Sequence, residues 1–319
     1  MKCFSPIKVP LGEDSKLRRQ MRTDMPLEYR FANFVNVPCG KCAACLARKR
    51  TDWSFRLNYE VKCSSSCYFI TLTYDDLNVP LKTCSDNLVH EVVNKEDVQL
   101  FMKRLRKSIE PYKIRYFLVS EYGPKTLRPH YHMLLFNFPL ELKHKLTEYV
   151  YNAWSLGFIR CDPVTPARVH YVTSYCLDYS VLPSYLPKNF MLCSRRPGLG
   201  SAYLDNDKFV NYHHDNLDGF GYLSSNGKVV KSKLPRYLSD RIFSDDERIE
   251  INNKFVEFHN QERSKLLQEH KEWMKAHGYT FVGDGSVFTP PGSPLFVELQ
   301  KQKLFAEKVK SKCKNKKNG

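Results

Sequence analysis

The amino-acid sequence predicts an α+β fold, in which helices pack around an antiparallel sheet and a basic C-terminal extension follows. The first observation is a succession of segments whose apolar residues recur at strand or helical spacing. The second is a pair of strand-like segments, 115–122 and 130–136, separated by a loop with glycine and prolines, as in an antiparallel hairpin.

The elements before this hairpin are predicted in order. The first forty residues contain four prolines and are expected to be irregular. A helix follows over residues 43–62, where apolar residues form an inner face. Residues 68–74 are rich in aromatic and β-branched types, which predicts a strand. A second helix is predicted over 95–109, with an apolar stripe and a basic outer face.

After the hairpin we expect a helix over residues 140–153, a strand over 157–164 and a further helix. Thr165 is the predicted N-cap of this last helix, because a proline follows it at the first helical position. The helix is predicted to carry three tyrosines at successive turns, namely Tyr171, Tyr175 and Tyr179.

Beyond about residue 181 prolines become frequent and the prediction is coarser. The tetrapeptide 225–228, Ser-Asn-Gly-Lys, predicts a hairpin turn, and the charged segment 245–276 predicts a helix. Residues 289–292 are interpreted as a linker, and the lysine-rich stretch from 308 onward as a frayed or disordered tail.

Composition narrows the classes of partner. The chain of 319 residues has 50 Lys and Arg against 34 Asp and Glu, so its net charge is +16. Such an excess favours a polyanionic ligand, of which nucleic acid is the commonest, although a basic surface without a dedicated ligand gives the same numbers. We find no apolar run of membrane-spanning length and no signal peptide, so a cytoplasmic location is expected.

Two histidines form the first candidate site. On a strand, His130 and His132 project to the same side, where two imidazoles can share one metal ion. Glu121 on the partner strand joins them if the register of the hairpin allows it, and a carboxylate with two imidazoles suits Mg²⁺ or Mn²⁺. The alternative is a pair of hydrogen-bonded sheet histidines without a metal.

A tyrosine pair forms the second candidate site. Tyr171 and Tyr175 lie four residues apart, hence on one helix face. A phenol with a pKa of about 10 is a poor nucleophile unless its deprotonation is assisted and its target is activated by a metal. The alternative is ordinary packing, which is common in a chain with 19 tyrosines.

The cysteines form the third candidate site. An odd total of 11 cysteines argues against a disulfide scaffold. Cys39, Cys42 and Cys45 are evenly spaced, and Cys3 is a candidate fourth thiolate, so that the four could hold a structural Zn²⁺. Free thiols are the alternative.

Taken in order, these segments match a known pattern, which consists of Phe69–Tyr74, Glu121-Tyr-Gly, Arg128-Pro-His-Tyr-His132 and Tyr171-Val-Thr-Ser-Tyr175. The pattern resembles the three motifs of HUH endonucleases that initiate rolling-circle replication. More narrowly, it is similar to the initiators of gokushovirus-type Microviridae, which are small single-stranded DNA phages. Further matches are the segments 38–42, 101–106 and 194–200.

The resemblance implies an antiparallel sheet of four to five strands flanked by helices. It also implies that His130, His132 and Glu121 bind the metal and that Tyr171 and Tyr175 are nucleophiles. One tyrosine would cut the DNA, leaving a 5′-phosphotyrosine and a 3′-OH for a host polymerase, and the other would cut the regenerated origin and circularise the displaced strand. The implied partners are single-stranded viral DNA, the replicative-form origin and a host helicase and polymerase, in the cytoplasm of a bacterial host cell.

This chain departs from the pattern around the second tyrosine. Relatives of this type often carry lysines where it has Ser174 and Asp178, and such lysines would stabilise phenolate or phosphate charge. Lys188, Arg195 and Arg196 are candidates to replace them. The residues expected to contact DNA are Arg48, Arg50, Lys103, Arg104, Arg128, Arg195 and Arg196.

We divide the chain into three segments on this basis. Residues 1–45 are an irregular segment whose cysteine cluster packs on the catalytic domain, 46–203 the HUH endonuclease domain, and 204–319 a helical, basic region with a frayed tail. Two other functions remain open. One is a non-catalytic protein that binds single-stranded nucleic acid, and the other is a metal-dependent hydrolase that uses water, which gives the tyrosine pair no role.

Overall fold

A five-stranded antiparallel sheet organises the computed structural model, which describes residues 3–10, 34–123, 125–175, 182–225, 228–279 and 288–314. The strands are β1 (Ile7–Pro10), β2 (Phe34–Val37), β3 (Cys67–Tyr74), β4 (Leu81–Thr83), β5 (Val89–Glu91), β6 (Arg115–Tyr122), β7 (Pro129–Phe136), β8 (Gly157–Pro163), β9 (Met191–Cys193), β10 (Phe220–Ser225) and β11 (Lys228–Lys233). The central sheet has the order β8-β3-β7-β6-β9. The predicted α+β class is confirmed.

Helices surround this sheet. They are α1 (Ala43–Cys63), α2 (Lys95–Ser108), α3 (Leu146–Trp154), α4 (Pro166–Ser174), α5 (Asp207–Asp215), α6 (Arg236–Ile242), α7 (Asp245–Ala276) and α8 (Pro294–Lys314), with 3-10 turns at Leu140–Lys145 and Ser201–Asp205. The Thr165 side chain accepts a hydrogen bond from the Arg168 amide, so the N-cap predicted for α4 is confirmed. Ser244 and Glu247 form a capping box at the start of α7.

The two faces of the sheet carry different helices. Side chains on a strand point alternately to opposite faces, so Ile70 and Leu72 face one side while Phe69 faces the other. Ile70 and Leu72 pack in a core with α2 and α3, whose Phe101 and Trp154 are fully buried. Phe69 packs in a second core with α1 and α4. The second face is the one that carries the candidate site.

A third core joins the C-terminal part of the chain to α1. Phe55 on the outer side of α1 packs with Tyr203, and with Leu234, Leu238 and Phe243 from the segment around α6. This cluster extends across the boundary expected after residue 203, and the division into three segments stays a prediction. None of the described helices is long and apolar enough to cross a membrane.

Some local predictions were wrong. The first forty residues are not irregular throughout, because β1 pairs with β2 in an antiparallel ladder. The predicted helix over 140–153 begins as a 3-10 turn, and only 146–154 is α-helical. The lysine-rich tail is helical as far as Lys314 and not frayed there.

Other predictions fare differently. β10 and β11 pair up to Ser225 and Lys228, as the predicted hairpin requires, while its turn residues Asn226 and Gly227 lie outside the described residues. The helix over 245–276 is confirmed by α7. The short strands β4, β5 and β9 and the helices α5 and α6 were not predicted. Tyr179 and Asp178 lie outside the described residues, as do residues 315–319.

Candidate metal centre and tyrosine pair

The register of the central hairpin brings a carboxylate beside the two histidines. Glu121 on β6 lies directly opposite His130 on β7, while His132 lies opposite Val119. Since both histidines and Glu121 project from the same face of the sheet, their ligand atoms lie within 4.8 Å of one another. The sequence left this register open, and the fold fixes it in the arrangement that a shared ion needs.

The spacing of the donor atoms fits a divalent ion. Glu121 Oε2 lies 3.0 Å from His130 Nε2 and 2.9 Å from His132 Nε2. Ligands at about 2.1 Å in octahedral geometry put neighbouring donor atoms about 3.0 Å apart. The three residues could therefore occupy adjacent positions around such an ion and leave the remaining positions open.

Outer hydrogen bonds orient both imidazoles. His130 Nδ1 is 3.1 Å from the Arg128 carbonyl oxygen, which only accepts, so this nitrogen carries hydrogen. His132 Nδ1 pairs with the Thr71 hydroxyl at 3.1 Å. Both Nε2 atoms are thereby turned towards Glu121. Either a proton on the imidazole nitrogen or a metal cation between the two atoms accounts for a carboxylate oxygen and an imidazole nitrogen this close together.

The carboxylate is held in its ionised form. The side chains of Glu121, His130 and His132 are 14%, 17% and 9% exposed. Burial by itself raises the pKa of Glu121, but hydrogen bonds and charge from the two histidines outweigh burial and hold this pKa well below its ordinary value. Glu121 therefore presents a negative charge throughout the neutral range.

Tyr171 reaches the same cluster from helix α4. Its hydroxyl oxygen lies 3.4 Å from Glu121 Oε2, to which it donates, and 3.5 Å from His132 Nε2. The Tyr171 side chain is half-buried. The helix that packs on this sheet face therefore presents a phenol at the point where the donor atoms converge.

Tyr175 lies deeper. It follows α4 as the C-cap residue, is 6% exposed and packs its ring 5.1 Å from that of Tyr171. Burial, and secondly the negative charge of Glu121, raise the pKa of Tyr175 above its ordinary value. The two tyrosines thus share one site but differ in their access to it.

Aromatic rings fix the plane of His132. The ring of Phe69 stacks on it at 5.4 Å with an interplanar angle of 21°, and the ring of Tyr175 at 5.8 Å with an angle of 25°. Phe69 and Thr71 were not singled out from the sequence as supports of the site. The available signal was their spacing on β3, which directs both to the face that carries the histidines.

The residues expected to contact DNA are dispersed. The Arg128 guanidinium donates to the Tyr74 carbonyl oxygen at 2.9 Å and pairs with Asp76 at 2.6 Å, so it already holds the hairpin loop against β3. Arg50 lies on α1 and contacts His170, the residue before Tyr171.

The other cations lie at different distances from the site. Arg48 shares α1 with Arg50 but interacts with Asp52 and Lys233, towards the C-terminal part of the chain. Lys103 and Arg104 lie on α2, which covers the opposite face of the sheet. Arg195 and Arg196 are exposed just beyond β9. The fold thus brings Arg50 beside the helix that carries Tyr171 and keeps the α2 pair on the other face.

A second cluster gathers the four predicted cysteines. The sulfur atoms of Cys3, Cys39, Cys42 and Cys45 all lie within 4.8 Å of one another. They come from the amino-terminal segment and from the start of α1, and none of them is in a disulfide bond. This cluster differs from the histidine site in its ligand atoms, which are all sulfur.

Comparison with known proteins finds relatives that are all described as replication-associated proteins. Residues 67–179, about a third of the chain, match the profile of a family of replication-associated proteins typified by ORF2. The chain is 24% identical to the replication-associated protein ORF2 of Spiroplasma virus 4, with 89% of this chain and 93% of that protein covered.

Two further relatives agree. The chain is 25% identical to the replication-associated protein ORF4 of Chlamydia phage 1, with 72% of this chain and 59% of that protein covered. It is also 25% identical to the replication-associated protein VP4 of Bdellovibrio phage phiMH2K, with 75% and 76% covered. The resemblance to replication proteins of small phages, stated from the sequence, is confirmed.

One solved structure is similar at a low level. The N-terminal nuclease domain of minute virus of mice non-structural protein 1 aligns with 50% of this chain and 82% of that chain, at 12% identity. Its TM-score of 0.21 is too low for a conclusion about this chain.

Proposed function

We propose that this protein initiates replication of a phage genome by nicking one DNA strand at the origin and rejoining it through a tyrosine-linked intermediate. The observation that supports this most is the position of the Tyr171 hydroxyl, 3.4 Å from Glu121 and 3.5 Å from His132. A nucleophile and a cation site that meet at one point are what phosphoryl transfer to a tyrosine requires.

Glu121, His130 and His132 are the residues that would hold a divalent ion, Mg²⁺ or Mn²⁺. When bound, the ion would make the scissile phosphate more electrophilic and offset its negative charge. Thr71 and the Arg128 carbonyl oxygen keep the two imidazoles in place. The stacked rings of Phe69 and Tyr175 keep His132 from turning away.

Tyr171 is the leading nucleophile in this proposal, because it is less buried than Tyr175 and its hydroxyl borders the donor atoms. Its O–H points to Glu121, which leaves the oxygen lone pairs for the phosphorus. The Tyr171 Oη–P bond forms as the P–O3′ bond breaks. The 5′ side stays on the tyrosine, the phenolic proton is lost, and the departing 3′ oxygen takes up a proton to become the 3′-OH.

Tyr175 would act second. A host polymerase would extend the free 3′-OH behind a host helicase, in the bacterial cell where the phage replicates. The regenerated origin would then be cut by Tyr175, and the released 3′-OH would attack the Tyr171 phosphodiester to close the displaced circle. The ring contact between the two tyrosines supports a single site for both exchanges.

The origin strand would enter on the α1 and α4 side of the sheet. Arg50 supplies positive charge there beside His170, and the overall charge of +16 favours binding of DNA. Because Lys103 and Arg104 cover the other face, we propose that they contribute only to general attraction of DNA.

The test is a gel assay for a covalent adduct between the full chain and labelled origin single-stranded DNA in Mn²⁺. The wild type should give an adduct, Tyr171→Phe should lose nearly all of it, and Tyr175→Phe should keep the first cut and lose circle closure. A Tyr149→Phe variant, on α3 at the opposite face, serves as a matched control.

Three results would contradict the proposal. An adduct in the double Phe variant puts the nucleophile elsewhere. Cleavage with turnover and no adduct indicates a metal-dependent hydrolase. Salt-sensitive binding without cleavage under any divalent metal indicates a non-catalytic nucleic-acid-binding protein.

A further inference from the structure

We propose that Cys3, Cys39, Cys42 and Cys45 bind one structural zinc ion, which fastens the amino-terminal segment to the start of helix α1. This inference does not depend on the nicking reaction, since the cluster shares no residue with Glu121 and the two histidines. It rests on the sulfur spacing, on the amides that surround the sulfurs and on the exposure of the residues around them.

The sulfur spacing is that of a single tetrahedral ion. Cys3 Sγ lies 3.7 Å from Cys42 Sγ, and Cys39 Sγ lies 3.9 Å from Cys45 Sγ. Four thiolates at about 2.3 Å from zinc form a tetrahedron whose edges are about 3.8 Å. Both measured pairs are close to the length of such an edge.

Backbone amides point at the sulfurs. The Phe4 amide donates to Cys42 Sγ at 3.4 Å, the Cys39 amide to Cys3 Sγ at 3.3 Å and the Cys42 amide to Cys39 Sγ at 3.3 Å. Such bonds offset the negative charge that four thiolates place around a divalent ion. Gly40 has a φ of +73°, a conformation that closes the short turn between Cys39 and Cys42.

Other thiol chemistries fit less well. A disulfide needs sulfurs about 2.05 Å apart, far closer than the 3.7 Å and 3.9 Å pairs. An iron–sulfur cluster attaches its cysteines to several irons joined by sulfides, so it separates them more than one shared ion does. A site of sulfur ligands alone, with no carboxylate or imidazole among them, favours zinc over Mg²⁺ or Mn²⁺.

A bound zinc ion would stabilise a region that has little hydrophobic packing. Among the residues whose burial is described in the segments 3–7 and 37–43, every one is partly or fully exposed. The Phe4 ring meets Phe305 of α8 edge-on at 6.0 Å, a single aromatic contact worth little by itself. A metal bound to thiolates from both segments would hold this region in place, as structural zinc does in small domains with little core.

The experiment measures metal and its ligands in the full chain, purified under reducing conditions without chelator. Elemental analysis and X-ray absorption at the zinc edge should give one zinc per chain with four sulfur neighbours at about 2.3 Å. Cys42→Ser and Cys45→Ser should lose this sulfur-bound zinc. Cys63→Ser, at the exposed far end of the same helix, should retain it.

Several outcomes would overturn the proposal. They are zinc coordinated only by nitrogen and oxygen, iron in place of zinc, two disulfides by intact mass, or full sulfur-bound zinc in Cys42→Ser. Because a serine variant can misfold, the wild type is also stripped of zinc by a thiol reagent and refilled after reduction. Stripping should lower the melting temperature by roughly 10 °C and refilling should restore it, whereas no change would exclude a structural ion.

Discussion

Two clusters of side chains that could hold a metal ion occur among the described residues, and they differ in nearly every respect. The histidine cluster offers one carboxylate oxygen and two imidazole nitrogens, and a tyrosine hydroxyl borders it. The cysteine cluster offers four sulfurs from two chain segments, all within 4.8 Å of one another, which is the number of ligands that a tetrahedral ion needs.

The number of ligands in each cluster indicates whether a bound ion could act on a substrate or could only stabilise the fold. Three ligands on adjacent positions leave room for a substrate oxygen, which a catalytic ion needs. Four thiolates leave no room, so an ion held by them can only stabilise the fold. The support differs as well, because the histidines stand on the central sheet and the cysteines lie in a segment with little core of its own.

Brief dialysis against EDTA should have the largest effect, because it should remove the ion of the histidine cluster and leave the zinc of the cysteine cluster in place. Adduct formation should fall below detection, because the open site exposes its ion to the chelator. Added Mn²⁺ should restore it fully, and the sulfur-bound zinc should remain in the protein throughout. If EDTA removed the zinc and the activity together and Mn²⁺ restored neither, the two sites would release their ions equally readily. That result would contradict the distinction between them.

Removing one ligand of the open site should have the next largest effect. His132→Ala is expected to slow adduct formation about 1000-fold, since an ion on the phosphate contributes several kcal/mol to the transition state. The rate is measured in single turnover at saturating Mn²⁺. His90→Ala is the control, because His90 pairs with Asp86 outside this cluster. A loss below tenfold would remove His132 from the site.

A smaller effect is expected from the outer hydrogen bond. Thr71→Val keeps the shape of the side chain but leaves His132 Nδ1 without the hydroxyl at 3.1 Å. Mn²⁺ affinity should fall about 10- to 100-fold while the rate at saturating Mn²⁺ changes less. Thr73→Val makes the same exchange two residues along β3, where an equal loss of affinity would show that the effect is not specific to His132.

The smallest effect concerns the closed site without its metal. Burial raises the pKa of Cys42, but amides of Cys45 and Phe4 outweigh this and lower that pKa to about 6. Burial raises the pKa of Cys45 to about 12. At pH 7 Cys42 is therefore mostly thiolate and should be alkylated at least about tenfold faster than Cys45.

Mass spectrometry of the metal-free protein after timed alkylation gives these rates. Lowering the pH from 7 to 5 should slow the alkylation of Cys42 about tenfold, because it crosses the pKa of Cys42 and only the thiolate reacts. Cys45 should stay the slower of the two at both pH values, so equal rates at pH 7, or a Cys42 rate that does not fall in acid, would contradict the assigned order of the two pKa values. Bound zinc should suppress both reactions.

The sequence alone predicted much of the fold and proposed the candidate site. Apolar periodicity placed α1 and α2, and short runs of apolar, aromatic and β-branched residues placed β3 and the β6–β7 hairpin, because these patterns are local to each element. The spacing of His130 and His132 was enough to put both on one face, since strand side chains alternate. Tyr171 and Tyr175 were paired by the helical repeat in the same way.

Only the tertiary structure decided which distant residues meet. The register that sets Glu121 opposite His130 depends on a whole ladder of pairs across a long loop, which no local pattern contains. The Thr71 hydroxyl contacts His132 from the neighbouring strand, and the Cys3 sulfur accepts a hydrogen bond from the amide of Cys39, 36 residues later in the chain. Lys103 lies on the helix that covers the opposite face of the sheet. The physical reason is that local periodicity determines which face a residue is on, whereas packing between elements determines what that face touches.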